Sequence, residues 1–414
     1  TPGLASRIYK KYRHDSLAVL TENPYRIAEE IWGIGFKTAD DIALKLGFAL
    51  HAPQRIASGI LHVISLATSQ GHLYVELSEL KTKTAEILQL SQNHELLIKD
   101  GLHSLYNKNK IKLISENELH YITLTSFYHS EKGVALKIGK LLEQPSVHTF
   151  DIDKIYQTLR VPKAGEVELN EDQQKGILSC LQHKVTIITG GPGTGKTTLI
   201  KKLLSLLDSE RVTYKLAAPT GRAAKRIIEG TGKFAMTIHR LLEFDPRTMG
   251  FTYNETHALK VDFLIIDEAS MIDIFLAHSI VKALPVTAHL IFIGDIDQLP
   301  SVGPGAVLTD LIESNKVPCT RLTHIFRQAQ DSLIVVNAHK INRGEFPVAF
   351  LPNAKRDFAF IKEERAEDIE KHLKEVLFGK IVRHGIALDD TIILTPMNRG
   401  IVGTANLNHI LQNM

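Results

Sequence analysis

The sequence predicts an α/β fold, in which a parallel sheet between helical layers follows a mainly α-helical region. Three observations carry this. In residues 166–414, short apolar runs alternate with stretches of helical period: Val185–Thr189, Val212–Ala217, Phe263–Ile266, Leu290–Ile293, Thr320–Phe326 and Thr391–Leu394. Near-continuous apolar runs mark strands covered on both faces, and their alternation with helices implies parallel pairing. A glycine-rich run from Gly190 to Thr197 lies between the first of these strands and a helix, Thr198–Leu207. In residues 1 to about 160, Leu4, Ile8 and Tyr12, then Leu17 and Leu20, then Ile27 and Ile31 recur at the spacing of amphipathic helices.

At 414 residues the chain holds two to four domains of roughly 150 residues each. With 44% hydrophobic and 23% charged residues it is globular, which excludes disordered and collagen-like classes. No apolar run approaches the roughly 18 residues that span a bilayer, and the first residues carry no signal-peptide pattern. A soluble, cytoplasmic protein without a membrane partner is expected. Cys180 and Cys319 are the only cysteines, which argues for a reducing compartment and against a disulfide framework. The 19 histidines are scattered, without HExxH or CxxC spacing, and read as surface and packing residues. A net charge of +3 is too mild to argue nucleic-acid binding, so any basic groove is local. The chain starts at Thr1 rather than Met and stops at Met414 just after an apparent helix, so a fragment is expected.

In order along the chain, residues 1–50 contain a repeat: Ala5, Ile8 and Lys11 align with Ala39, Ile42 and Lys45. In the second copy Ile31-Trp32-Gly33-Ile34-Gly35 precede a helix, Lys37–Leu46, that ends at Gly47. Glycines permit positive φ and leave backbone N–H groups open at a helix N-terminus, where a phosphate is held without sequence being read. The element resembles a helix-hairpin-helix, with Gly33, Gly35 and Lys37 as candidate DNA contacts. An αα-hairpin whose glycines only allow close packing stays open. Residues 51–165, with Arg55–Thr68, Leu73–Leu77 and Tyr121–Leu124, suit a small helical or winged-helix-like module and carry no chemical signal. The polar stretch 162–166 closes this region.

Gly190, Gly191, Pro192, Gly193, Thr194, Gly195, Lys196 and Thr197 fit the P-loop pattern between a strand and a helix, with Thr198 completing the nucleotide contacts. Successive N–H groups cradle phosphate, Lys196 reaches the β- and γ-oxygens, and the Thr197 hydroxyl ligates Mg²⁺. Phe263–Ile266 runs straight into Asp267, suited to the Mg²⁺ shell, and Glu268, suited to deprotonating a water. Leu290–Ile293 ends in Gly294-Asp295-Ile296-Asp297-Gln298-Leu299-Pro300-Ser301-Val302, where Gln298 can sense the γ-phosphate.

Together these resemble motifs II and III of superfamily 1 helicases, and the resemblance extends. Leu169, Gln173 and Ile177 look like the Q motif, with Gln173 reading adenine and Gln174 as the fallback. Ala218-Pro219-Thr220-Gly221-Arg222-Ala223-Ala224 look like motif Ia, and Thr237-Ile238-His239-Arg240-Leu241 like the DNA-contacting motif that follows. Leu322-Thr323-His324-Ile325-Phe326-Arg327-Gln328 look like motif IV, whose arginine, Arg327, points at the γ-phosphate.

This combination is that of the RecD-like superfamily 1 helicases, also known as the exodeoxyribonuclease V alpha-subunit group. The run at 33–40 suggests their N-terminally extended branch. The resemblance implies a first RecA-like domain over 166–335 and the start of a second such domain over 336–414, C-terminally truncated. Within the first, the stretch 242–262 has a polar turn, Asp245–Gly250, between Glu243-Phe244 and Phe251-Thr252-Tyr253, which suits a hairpin insertion: either a pin that splits the duplex or a surface hairpin with no mechanical role. It implies ATP and Mg²⁺ as cofactors, 5′ to 3′ translocation on single-stranded DNA, and unwinding at single-strand/duplex junctions in repair or recombination. Thr220, Arg222, Thr237 and His239 would contact the DNA. A monomer with possible repair-protein partners is expected. Two alternatives stay open: a motor or regulatory subunit of a recombination nuclease, and another P-loop ATPase of the AAA+ kind, against which the Gly294–Val302 run argues.

Overall fold

A computed structural model describes residues 2–90, 94–161, 167–324, 332–350, 355, 357–381 and 383–413. The chain forms two compact units, Thr1–Phe326 and Arg327–Met414.

The first unit opens with α1 (Pro2–Tyr12), α2 (Ser16–Glu22), α3 (Arg26–Glu30), α4 (Phe36–Lys45) and α5 (Pro53–Ser69). A three-stranded antiparallel sheet follows, β1 (Tyr74–Glu76), β2 (Ile111–Glu116) and β3 (Leu119–Leu124), ordered β1-β3-β2, with α6 (Leu77–Leu88) and α7 (His94–Asn107) between β1 and β2. Ile8, Ile27, Phe36, Ile56, Ile60, Leu80, Ile98, Ile111 and Ile122 join one buried cluster, so the glycine-turn helices and the small sheet share a core.

A single guanidinium ties this core together. Arg55, 4% exposed, forks onto Asp40 through Nε (2.8 Å) and Nη2 (2.9 Å), and its Nη1 donates to the carbonyls of Leu50 and Leu88. The Tyr25 hydroxyl donates to the same carboxylate at 2.7 Å, and burial together with that carboxylate holds the phenol above its usual range. α4 is thereby fixed to α5 and to the end of α6.

The chain crosses to the larger part of the unit on α8 (Thr125–Glu143), whose Phe127, Val134, Ile138 and Leu141 are buried with the second sheet, and α9 (Ile152–Arg160). Next come α10 (Glu171–Gln182), β4 (Val185–Gly190), α11 (Lys196–Ser209), β5 (Tyr214–Ala218), α12 (Gly221–Thr231), β6 (Ala235–Thr237), α13 (Ile238–Leu241), a two-stranded hairpin β7 (Phe244–Asp245) and β8 (Gly250–Phe251), β9 (Phe263–Ile266), α14 (Ile274–Ala283), β10 (His289–Gly294), α15 (Val307–Glu313) and β11 (Cys319–Leu322). Six of these strands form one parallel sheet, ordered β11-β4-β10-β9-β5-β6. Alternate residues of its central strands enter opposite layers. Val185, Ile187, Leu264, Ile266, Leu290 and Phe292 pack with α8 and α14, while Ile188, Phe263, Ile265, Ile291 and Ile293 pack under α9 to α12. His289 supports the packing reading of the histidines: it stacks on Phe263 at 4.1 Å, contacts Ser146 Oγ and the His183 carbonyl, and is pushed down to about 4 by burial.

The second unit contains helices Leu333–Asn342, Ile369–Lys374 and Thr404–Gln412. Asp357 caps the first through Ser332 Oγ and the Leu333 N–H, and the buried Asn337 clamps both backbone groups of Val348. Among the described residues no helix is long and apolar enough to cross a membrane.

Three expected strands differ. The one sought at Val212–Ala217 forms over Tyr214–Ala218. Thr391–Leu394 forms none: Ile392 is 60% and Leu394 84% exposed. An apolar run needs a neighbour for its N–H and C=O groups before it becomes a strand, and among the described residues around it no such neighbour stands. The strand sought at Thr320–Phe326 spans Cys319–Leu322, and residues 325–331 lie outside the described ones.

Asp40→Ala leaves the buried Arg55 without its counter-charge, and breaking such a pair costs about 3–5 kcal/mol. Chemical denaturation should show a loss of stability of this order, whereas Lys83→Ala, which breaks only an exposed pair with Glu79, should change it by less than about 0.5 kcal/mol.

Candidate nucleotide and DNA site

Because the large sheet is parallel, every strand delivers its C-terminal end to the same edge, where ligands of such sheets bind. β10 lies between β4 and β9, with Gly294 opposite Thr189 and Phe292 opposite Ile266. The P-loop, the acidic pair and the Gln298 loop are thus neighbours in space.

The P-loop is shaped by glycine. A Cβ on Gly190 would stand 2.7 Å from Thr194 Oγ1 and 3.0 Å from the Leu322 carbonyl oxygen, and Gly193 (φ +76°) and Gly195 (φ +80°) are left-handed. Thr194 Oγ1 donates to the Gly191 carbonyl at 2.8 Å, which tightens the loop, while Pro192 is exposed on it. Lys196 opens α11, and its ammonium curls back to donate to the carbonyls of Gly190 and Gly191. Thr197 and Thr198 follow in the first turn. The Thr197 methyl stands only 2.4 Å from where a Cβ on Gly230 would be, so α12 sets the space around this side chain.

Backbone contacts fix Asp267 and Glu268 at the end of β9. The Asp267 N–H is held by the Ala217 carbonyl, and its Oδ1 accepts the Glu268 N–H at 2.9 Å. Glu268 is left-handed (φ +54°, ψ +41°), a conformation that costs a non-glycine residue of order 1 kcal/mol and gathers at functional sites. Burial pushes Asp267 up to about 6, opposed by the hydrogen bond from the Glu268 N–H and by Lys196, while the charge of the Glu268 carboxylate adds to the rise. Gly294 brings β10 close: its Cβ would stand 3.2 Å from the Ser270 nitrogen. Two buried hydroxyls close by, Thr189 Oγ1 on β4 and Ser270 Oγ in the turn after β9, have no hydrogen-bond partner among the described residues.

A desolvated carboxylate, a hydroxyl on the facing helix and orphaned polar groups form a donor set that fits Mg²⁺, which takes one or two carboxylates and leaves its other positions to phosphate and water. Among the described residues no cluster of three or more His, Cys, Asp or Glu forms an all-protein cage.

Gln298 sits exposed at the tip of its loop, braced by Asp295. That buried carboxylate accepts the Asp297 N–H at 3.1 Å and lies 3.4 Å from Gln298 Nε2. At the far end of the loop the Gly305 N–H donates to the Gly71 carbonyl, at the end of α5. Asp295, Gly230 and the two orphaned hydroxyls were not singled out from sequence; only Asp295 carries a signal there, inside the Gly-Asp-x-x-Gln run.

Gln173 is buried and fully engaged. Its Oε1 accepts the Asn170 N–H in a capping box and its Nε2 donates to the Gly195 carbonyl at 3.2 Å. It braces the P-loop, and contact with adenine would require the amide to turn away from Gly195. Gln174 donates to the Leu169 carbonyl. Thr323 is tied to Asp172 on α10, and Arg327 lies outside the described residues.

Thr220, two residues past β5, and Thr237, the last residue of β6, cap α12 and α13 through their hydroxyls; Arg222 and His239 are exposed in the helical turns that follow. The His239 ring lies 5.5 Å from Phe244 and 5.7 Å from Phe251, so it packs on the hairpin. On the N-terminal core, Gly33 is left-handed (φ +79°). Gly35, expected to be so too, is extended (φ −89°) and caps α4, because a single left-handed residue suffices to reverse the chain. Lys37 is exposed in the first turn of α4.

Residues 1–74 match the family model of the ATP-dependent RecD2 DNA helicase HHH domain, and residues 173–304 match that of an AAA domain. The ATP-dependent RecD2 DNA helicase of Deinococcus radiodurans is 31% identical over 99% of this chain and 55% of its own length. The chain is RecD-like in sequence over nearly its whole length. This RecD-like chain is also 30% identical to the RecBCD enzyme subunit RecD of Mycolicibacterium smegmatis, over 58% of the chain and 50% of that subunit. It therefore spans about half the length of the curated relatives it matches. The Pif1 helicase of Candida albicans aligns over 50% of the chain and 54% of its own, at 22% identity and a TM-score of 0.35.

Glu268→Gln keeps the shape of the side chain and removes its basicity. It should leave ATP binding intact and lower turnover by about 10²- to 10⁴-fold, as steady-state kinetics beside a nucleotide-binding titration would show. Metal ligands must be deprotonated, so Mg²⁺-dependent nucleotide binding should weaken below pH about 6, where Asp267 takes up its proton. The fall should approach tenfold per pH unit in a binding titration, and Asp267→Asn should flatten it.

Proposed function

We propose that this RecD-like chain is the motor part of an ATP-dependent DNA helicase that moves 5′ to 3′ along single-stranded DNA and opens duplex at junctions in repair or recombination. One observation carries the reading: a P-loop, an acidic pair and a glutamine loop converge on one edge of a parallel sheet, in a chain that aligns over 99% of its length with a RecD2 helicase. The direction rests on the resemblance alone.

In the proposed cycle the P-loop N–H groups and Lys196, released from its carbonyls, hold the β- and γ-phosphates of ATP. Thr197 and Asp267 would hold Mg²⁺, which when bound neutralises charge developing on the phosphate oxygens. Glu268 takes the proton of the attacking water, and Gln298, steadied by Asp295, reads the loss of the γ-phosphate. Arg327 is assigned to the same phosphate and Gln173 to adenine on the family motifs. Thr220, Arg222, Thr237 and His239 form a track for DNA phosphates, which gives salt-dependent binding without base preference. The β7–β8 hairpin, seated on His239 by Phe244 and Phe251, acts as the pin that parts the strands. DNA as substrate implies a cytoplasmic protein, and we assign a monomer.

The subunit reading draws on matches to RecD subunits that cover 58% of the chain or less. The helix-hairpin-helix match at 1–74 favours the N-terminally extended branch.

ATP turnover measured with and without single-stranded DNA, with Lys196→Ala as the blank, tests the motor: stimulation that vanishes in the variant is expected. Deleting residues 245–252 should abolish unwinding while DNA-stimulated turnover persists. Loss of both activities, or of neither, would remove the hairpin from its role.

A further inference from the structure

The chain contains one tryptophan, and it stands 96% exposed at the tip of the glycine turn between α3 and α4. Its neighbours behave differently: Ile34 and Phe36 are buried in the N-terminal core, and only Trp32 turns its side chain outward. An indole is among the largest apolar groups a chain can bury, and the turn holds this one in water by specific contacts. Gly33 is left-handed, the Ile34 N–H donates to the Ile31 carbonyl, and Arg7 Nη1 donates to the Trp32 carbonyl at 3.3 Å.

The surroundings favour an anion. Arg7 lies against the turn, Lys37 is exposed in the first turn of α4, that turn has no acidic residue, and Lys10 and Lys11 end α1. The carboxylates nearest in sequence are occupied, Glu29 by Lys110 at 2.6 Å and Glu30 by Arg26 at 2.8 Å. A large flat ring beside cations is the pairing that single-stranded nucleic acid recognises: cations follow the phosphates and the ring takes the face of a base. A paired base has both faces covered by its neighbours in the stack, so only an unpaired base offers one.

We propose that Trp32 is a base-stacking residue, its indole lying on an unpaired base of single-stranded DNA whose phosphate sits at the α4 N-terminus beside Lys37. The inference rests on the DNA-binding reading above and adds a contact to the base itself. It makes the glycine turn selective for single strands over duplex and tolerant of sequence, since every base has a π-face.

Because Trp32 is the sole tryptophan, its fluorescence reports on this site alone. The chain is titrated with a long labelled oligodeoxythymidylate while label anisotropy and tryptophan emission are followed together, and again with an abasic oligomer that keeps the phosphates and lacks the bases. Emission should fall in step with the anisotropy rise for the oligodeoxythymidylate and stay level for the abasic oligomer. Trp32→Ala should weaken oligodeoxythymidylate binding about tenfold, Trp32→Phe much less, and neither should alter abasic binding. An anisotropy rise with unmoved emission, or equal quenching by both oligomers, overturns the stacking role and leaves DNA binding standing. No anisotropy rise overturns both.

Discussion

The parallel pairing of β10 between β4 and β9 is the constraint on which the nucleotide centre depends. It fixes the spacing between the P-loop and the acidic pair at one intervening strand and fills that space with the strand that carries the Gln298 loop. The pairing holds because all three strands are apolar on both sides, so each contributes to two packed layers at once. Slipping β10 by one residue would exchange the layers of Leu290, Ile291, Phe292 and Ile293, a change that neither layer could absorb.

Within that frame the chemistry comes from how little room the backbone leaves. Gly190 and Gly294 are the points of close approach, one toward Leu322 and the other toward Ser270. Burial at the same sheet edge raises the proton affinity of Asp267, which makes the carboxylate poor at holding a charge alone and suited to a cation. The left-handed turn at Glu268 belongs to the same strand end: it breaks off the extended run of β9 directly after Asp267.

Much of this was legible in the sequence because it is local. A strand, a glycine run and a helix are contiguous from Val185 to Ser209, and so are β9 and the acidic pair, so each motif carries its own context. The hairpin showed itself as a polar turn between Phe244 and Phe251. What the sequence concealed is non-local. The amide of Gln173 is spent on Asn170 and Gly195, and no spacing rule reveals that. Gly230 confines Thr197 from a different helix. Arg55 carries no signal in the sequence, yet its buried guanidinium bonds Asp40 and the Leu50 and Leu88 carbonyls. Thr391–Leu394 has the composition of a strand, but composition does not report whether a partner is there to pair with it.

α8 gives the first unit a mechanical character. Its 19 residues make a rod of about 28 Å, joined at one end to β3, where the Thr125 N–H meets the Lys110 carbonyl, and packed on α14. A rod carries compression and bending, where a flexible tether carries only tension. A displacement of α14 would therefore reach the small sheet, and the core that it shares with the glycine-turn helices, as a movement with a direction.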